Sequence, residues 1–298
     1  MITILDGGMG RELQRSGAPF RQPEWSALAL IEAPEAVAAA HRAYCLAGAQ
    51  VITTNSYALV PFHIGDARFA DSGLELARRA GSVARAAALE FSGVRVAGSL
   101  PPVCGSYRPD IFDAAMAAPL LAVLIEGLAP HVDLWLAETL SALAEARAVI
   151  AQLARDPRPL WLSFTLADGV GDRATPGQLR SGEDVEAAVQ VAAGCGAQAL
   201  LFNCSQPEVM EGAIERARNE ALRLGAALQI GVYANAFPPQ SDDAAANDAL
   251  LPLRADLDPQ GYLGWAERWI TGGATIVGGC CGIGPEHIAA IAAQIRNA

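Results

Sequence analysis

The feature that most constrains this chain is its rhythm. Short apolar, β-prone runs alternate with longer alanine-rich stretches of helical periodicity. Eight runs read as strands, at residues 2–5, 50–54, 94–97, 134–137, 160–164, 199–202, 229–233 and 275–277. Helices are expected at 34–47, 71–90, 114–129, 141–155, 184–193, 208–224 and 261–271, with a last one at 285–297. Strands separated by helical crossovers must pair in parallel, because parallel neighbours cannot be joined by a tight hairpin. Eight such units suggest closure into a (β/α)8 TIM barrel, an α/β fold. No linker or low-complexity tail divides the 298 residues, so 1–298 is read as a single barrel domain. Residues 238–260, rich in Pro, Asp, Ala and Asn, are expected to be a long loop after strand seven. Loops of that length are usually functional or mobile.

With 52% hydrophobic residues, a chain of this length can form a large core. The net charge of −11 and the lack of a basic cluster argue against a nucleic-acid partner. No apolar run reaches the ~20 residues of a membrane span. No basic segment precedes the opening MITILDGG, so no secretory signal is visible. The expected location is cytoplasmic, with no membrane partner. The sequence leaves the oligomeric state open.

Polar residues gather where the strands end: Asp6, Thr53, Thr54, Asn55, Glu138, Thr139, Asn203, Cys204, Tyr233 and Asn235, then Cys280 and Cys281 after strand eight. In this fold the C-terminal strand ends form one face, and active sites are built there. Of the six cysteines, Cys204 and the pair Cys280–Cys281 come from near-neighbouring strands. Zinc takes thiolate ligands, and a catalytic site gives three protein ligands and keeps one position open. Adjacent strand residues point to opposite faces, so the pair can share an ion only if the backbone leaves strand geometry. Gly278, Gly279 and Gly282 permit that. The competing reading is a buried Cys204 beside a reactive or oxidised pair. Cys45 and Cys195 read as packing residues, and Cys104 lacks an evident partner.

Asp6 and Glu138 could bind the ammonium group of an amino acid substrate, or act as general acid and base. Gly7 and Gly8 make a turn that lets backbone approach a ligand closely. The segment GGCCGIGPEH also reads as a phosphate cradle at a helix start. A phosphate-binding aldolase or isomerase without metal is therefore a rival. The chain contains no lysine, which removes a Schiff-base version of it. A non-catalytic zinc- or thiol-binding protein is the other rival.

Six segments together resemble the homocysteine S-methyltransferase family: DGGMGREL at 6–13, ITTNSY at 52–57, AETLSALAEA at 137–146, FNCSQPE at 202–208, YANA at 233–236 and GGCCGIGPEHI at 278–288. They span nearly the whole chain, and the pairing of NCS with GGCCG is the most specific part. The resemblance implies a barrel with Zn2+ on Cys204, Cys280 and Cys281. It implies that Asp6, Gly7, Thr54, Glu138, Asn203 and Tyr233 line the homocysteine site. It further implies methyl transfer from a donor to homocysteine, giving methionine. Arg11, the segment at 233–236 and the loop after it depart from the family's pattern. A quaternary ammonium donor such as betaine would call for an aromatic cage, with Trp25, Tyr57, Phe62 and Tyr107 as candidates. Betaine enzymes of the family carry a further C-terminal segment, so the expected donor is S-methylmethionine or S-adenosylmethionine.

Overall fold

In a computed structural model, which describes residues 2–168, 177–239 and 252–297, the strands close a parallel barrel. They are β1 (Thr3–Ile4), β2 (Val51–Thr53), β3 (Arg95–Leu100), β4 (Leu134–Leu140), β5 (Leu160–Phe164), β6 (Ala199–Asn203), β7 (Gln229–Tyr233) and β8 (Ile276–Val277). From β2 to β8 each pairs in parallel with the next, and β1 pairs in parallel with β8. The remaining seam closes through the Leu5–Val51 bridge and the bond from the Asp6 N–H to the Val51 carbonyl at 3.0 Å. The expected fold class is therefore the one formed.

Strand alternation sorts the core into two layers. Leu134, Leu136, Trp161, Ala199, Leu201 and Ile276 pack inside the barrel. Their neighbours Trp135, Ala137, Leu162, Leu200, Phe202 and Val277 pack outward beneath the helices. The helices are α1 (Met9–Arg15), α2 (Ser26–Glu32), α3 (Pro34–Ala47), α4 (Pro61–Ile64), α5 (Asp66–Ala88), α6 (Ala114–Leu128), α7 (Leu143–Leu153), α8 (Val185–Gly194), α9 (Met210–Leu224), α10 (Pro259–Gly272) and α11 (Pro285–Asn297). The window Ala114–His131 is apolar and long enough to cross a membrane by composition. Its helix α6 packs instead between α5 and α7 against β3.

Several boundaries differ from the sequence expectation for local reasons. The expected helix at 141 starts at Leu143, because the Glu145 carboxylate reaches back to accept the N–H groups of Ser141 and Ala142. α10 starts at Pro259, where Asp258 caps it by accepting the N–H groups of Gln260 and Gly261. The expected loop 238–260 thus ends at its cap, and its central residues 240–251 lie outside the described ones. α1, α2 and α4 are too short to carry a helical period.

Candidate metal centre and active site

The Sγ atoms of Cys204, Cys280 and Cys281 lie within 4.8 Å of one another, and all three are free thiols. Two departures from strand geometry bring them together. Cys204 directly follows β6, and its φ of 52° takes the chain out of the strand. β8 stops at Val277, and residues 278–282 run on as a turn held from both sides. The Gly279 N–H donates to the Asp6 carbonyl and the Cys280 N–H to that of Ala234, while the Cys281 carbonyl accepts from Ala236. The buried Tyr262 hydroxyl on α10 donates to the Gly278 carbonyl at 2.8 Å. Adjacent cysteines thereby escape the alternation that would send them to opposite faces.

Hydrogen bonds from Cys280, Cys281 and the Tyr107 hydroxyl hold the Cys204 thiol well below the usual thiol range. Those same bonds push Cys280 and Cys281 up. The Tyr107 oxygen and the Cys280 sulfur each stand 2.9 Å from the Cys204 sulfur. Two donors at hydrogen-bond distance thus converge on the Cys204 sulfur.

The paired glycines after β1 have a steric cause. A Cβ on Gly8 would lie 2.5 Å from the Cys280 carbonyl oxygen, and one on Gly7 2.2 Å from that of Ile283. The turn after β1 packs backbone to backbone against the cysteine turn. Gly8→Val should displace Cys280 and Cys281 and weaken metal binding about tenfold or more, the lower end of what losing a ligand's support costs. Zinc competition against a chromophoric chelator would measure this. Parental affinity in Gly8→Val would show that the close approach is not needed.

The two carboxyls enter from opposite sides of the mouth. β4 shifts register between Ala137 and Leu140, and Thr139 has a φ of 60°. Such a bulge re-aims side chains, and it places Glu138 on the cavity wall. Its carboxyl accepts from the Ser99 hydroxyl and, at 3.2 Å, from the Tyr233 hydroxyl. Asp6 accepts from the Thr53 N–H at 2.7 Å and the Thr53 hydroxyl at 2.5 Å. Burial pushes both groups up to about 7, against the pull of these hydrogen bonds. Asn203 sits behind the bulge and does not line the cavity. It accepts from the Thr139 N–H at 2.9 Å and the Ser163 hydroxyl at 2.7 Å, and donates to the Thr139 hydroxyl at 2.8 Å. Thr54 lines the cavity, but its hydroxyl accepts from the Ser99 N–H and pairs with Ser56.

The thiols and the two carboxyls open on one cavity of about 190 Å³. Asp6, Gly7, Glu138, Tyr233 and the three cysteines line it, with the rings of Trp25, Tyr57, Tyr107 and Phe237. Phe62 does not reach it and instead packs on His63. Ser99, which shares β3 with the charged Arg95, carried no feature in the sequence that marked it as a partner of Glu138. The phosphate-cradle reading of 278–287 is corrected. The N–H groups of Gly278, Gly279, Cys280 and Ile283 are bonded to backbone carbonyls, and that of Gly284 to His287 Nδ1. The cavity wall carries acids and thiols and, among the described residues, no arginine.

A parallel barrel whose mouth joins three thiols, a group that could hold a metal, to two buried carboxyls defines a barrel of the enzyme type. The chain belongs to the homocysteine S-methyltransferase family, whose model matches residues 3–295. It is a methyltransferase. The homocysteine S-methyltransferase of Escherichia coli (strain K12) is 30% identical, the alignment covering 98% of this chain and 95% of the relative. A selenocysteine methyltransferase of Astragalus bisulcatus is 26% identical, with 97% and 91% covered. Among solved structures, the homocysteine methyltransferase MmuM of Escherichia coli in its metallated form superposes with a TM-score of 0.77. It shares 27% identity, with 98% of this chain and 96% of that one covered.

Proposed function

We propose that this protein moves a methyl group from a sulfonium donor, S-methylmethionine or S-adenosylmethionine, to homocysteine, with zinc held by Cys204, Cys280 and Cys281. The observation that carries this reading is the meeting of three thiols and two buried carboxyls in one cavity. Three sulfurs within 4.8 Å are a donor set that suits zinc and leaves a position for a fourth ligand. Bound there, zinc would supply a deprotonated substrate thiol at neutral pH, where a free alkyl thiol is mostly protonated.

The chain's own residues bind and orient the substrates. Asp6 and Glu138 would take the substrate ammonium, which favours their charged forms in a place where burial alone opposes charge. Tyr233 and Ser99 fix the Glu138 carboxyl by donating to it. Asn203 supports the bulge that presents Glu138 rather than touching substrate. The aromatic rings offer faces to a cationic donor and exclude water. As the thiolate attacks, a carbon–sulfur bond forms and the donor's methyl–sulfur bond breaks. The electron pair leaves on the donor sulfur, and opposite charges disappear in a site with little water.

Charge selects between donors. S-Methylmethionine and S-adenosylmethionine carry a net positive charge, whereas betaine is a neutral zwitterion whose carboxylate would face a wall that carries acids and, among the described residues, no arginine. Incubation with homocysteine and each donor, followed by methionine assay, should give methionine from a sulfonium donor at least tenfold faster than from betaine. Equal or faster methionine formation from betaine would overturn the donor assignment. No methionine from any donor, with turnover of selenocysteine instead, would overturn the acceptor.

A further inference from the structure

Behind Cys204 lies a buried charge that the reaction just described does not use. Arg180 is 2% exposed, and the side chain of its partner Asp168, 3.4 Å away, is wholly buried. The guanidinium lies over the Tyr107 ring, 5.0 Å from its centre. Its Nη2 donates to the Leu166 carbonyl at 3.3 Å, but its Nε and Nη1 find no hydrogen-bond acceptor among the described residues. Orphaned donors on a buried cation are costly, and an apolar side chain would fill such a space more cheaply. A group left in that condition calls for a reason beyond packing.

The reason lies in what the guanidinium touches. Tyr107 sits in the loop after β3 with a φ of 64°, a conformation a tyrosine keeps only when its surroundings enforce it. Its hydroxyl donates to the Cys204 sulfur at 2.9 Å. The second oxygen of Asp168 accepts the Gln206 N–H at 3.0 Å, two residues beyond Cys204. One ion pair thus grips Cys204 from two directions, through the phenol on its sulfur and through the backbone that follows it.

We propose that Arg180 is a positioning residue for the metal centre, fixing the Tyr107 ring and, through its hydroxyl, the sulfur of Cys204. The inference rests on the reading of Cys204 as a zinc ligand. Hydrogen-bond partners that orient ligands typically contribute ten- to hundredfold in metal affinity. Arg180 does not line the cavity, and its partner Asp168 reaches only the backbone two residues beyond Cys204, so most of its effect on the sulfur should run through Tyr107.

A double-mutant cycle on zinc affinity tests this, with metal-free protein competing for zinc against a chromophoric chelator. Tyr107→Phe keeps the ring, its packing and the guanidinium above it, and removes only the oxygen. It should bind zinc about tenfold more weakly with an unchanged metal-free melt. Arg180→Met should show a similar loss, and the double variant should bind no more weakly than Tyr107→Phe. If Arg180→Met does not fold, Arg180→Lys keeps a charge for Asp168 without the planar group on the ring, with the same expected loss. Parental zinc affinity in Tyr107→Phe would overturn the proposal, and so would losses that simply add. A parent protein that makes methionine without zinc would remove the metal reading itself, which is a distinguishable result.

Discussion

Cys281→Ala should lose zinc and methyl transfer yet keep its circular dichroism and a cooperative melt. The loss of activity should be near complete, since two thiols cannot complete a three-ligand site and the substrate thiol would return to its solution-like protonated state. The fold should survive because its stability lies elsewhere. Trp135, Trp161, Trp269, Phe164 and Phe202 are fully buried in the layers beneath and around the barrel, whereas the cysteines sit at its rim. Small zinc modules unfold without metal because they have little other core. Here the melting temperature should fall only as far as the loss of a ligand bound to the native state requires. An unfolded Cys281→Ala protein would make the cluster structural. A folded one that makes methionine at the parental rate would remove Cys281 from the mechanism.

Glu138→Gln should weaken homocysteine binding about 10- to 100-fold while leaving zinc affinity nearly unchanged. The substitution removes a charge-assisted hydrogen bond of roughly 1.5–3 kcal/mol and keeps the shape. The pH dependence has a definite sign. Burial raises the Glu138 carboxyl to about 7, so below that pH the free site is increasingly protonated and must lose its proton to meet the ammonium. Parental affinity should therefore rise with pH through about 7 and then level off. Asp6 is also raised to about 7, so the variant keeps a shallower rise rather than none. Calorimetric titration at several pH values would show this. Unchanged affinity in Glu138→Gln, or affinity that falls with pH through neutrality, would contradict the role given to this carboxyl.

The barrel was legible in the sequence because period-two and helical patterns are local, and eight repeats leave little choice of closure. The meeting of the cysteines was legible for a different reason, since strand ends of a barrel share a face and Cys204 follows β6 while Cys280–Cys281 follow β8, but their reading as one metal site came from the family resemblance. What could not be read depends on tertiary packing. The register shift at Glu138–Thr139 is set by Asn203, 64 residues away, and nothing local to β4 announces it. Asn203 itself, expected at the substrate, proves to be the brace of that bulge. Gly7 and Gly8 suggested a close approach to a ligand, whereas the nearest neighbour of each is the backbone of residues 280–283. Arg180 and Tyr107 gave no signal as a pair because they meet across the barrel mouth.

Whether a metal on three thiols activates the acceptor is decided by stoichiometric reactivation. Zinc would be added stepwise to metal-free protein supplied with homocysteine and S-methylmethionine or S-adenosylmethionine, and the rate of methionine formation followed. Activity should be negligible at the start, rise linearly and break at about one zinc per chain, as a single three-thiolate site requires. A full rate from metal-free protein, indifferent to added zinc, would contradict a role for the metal.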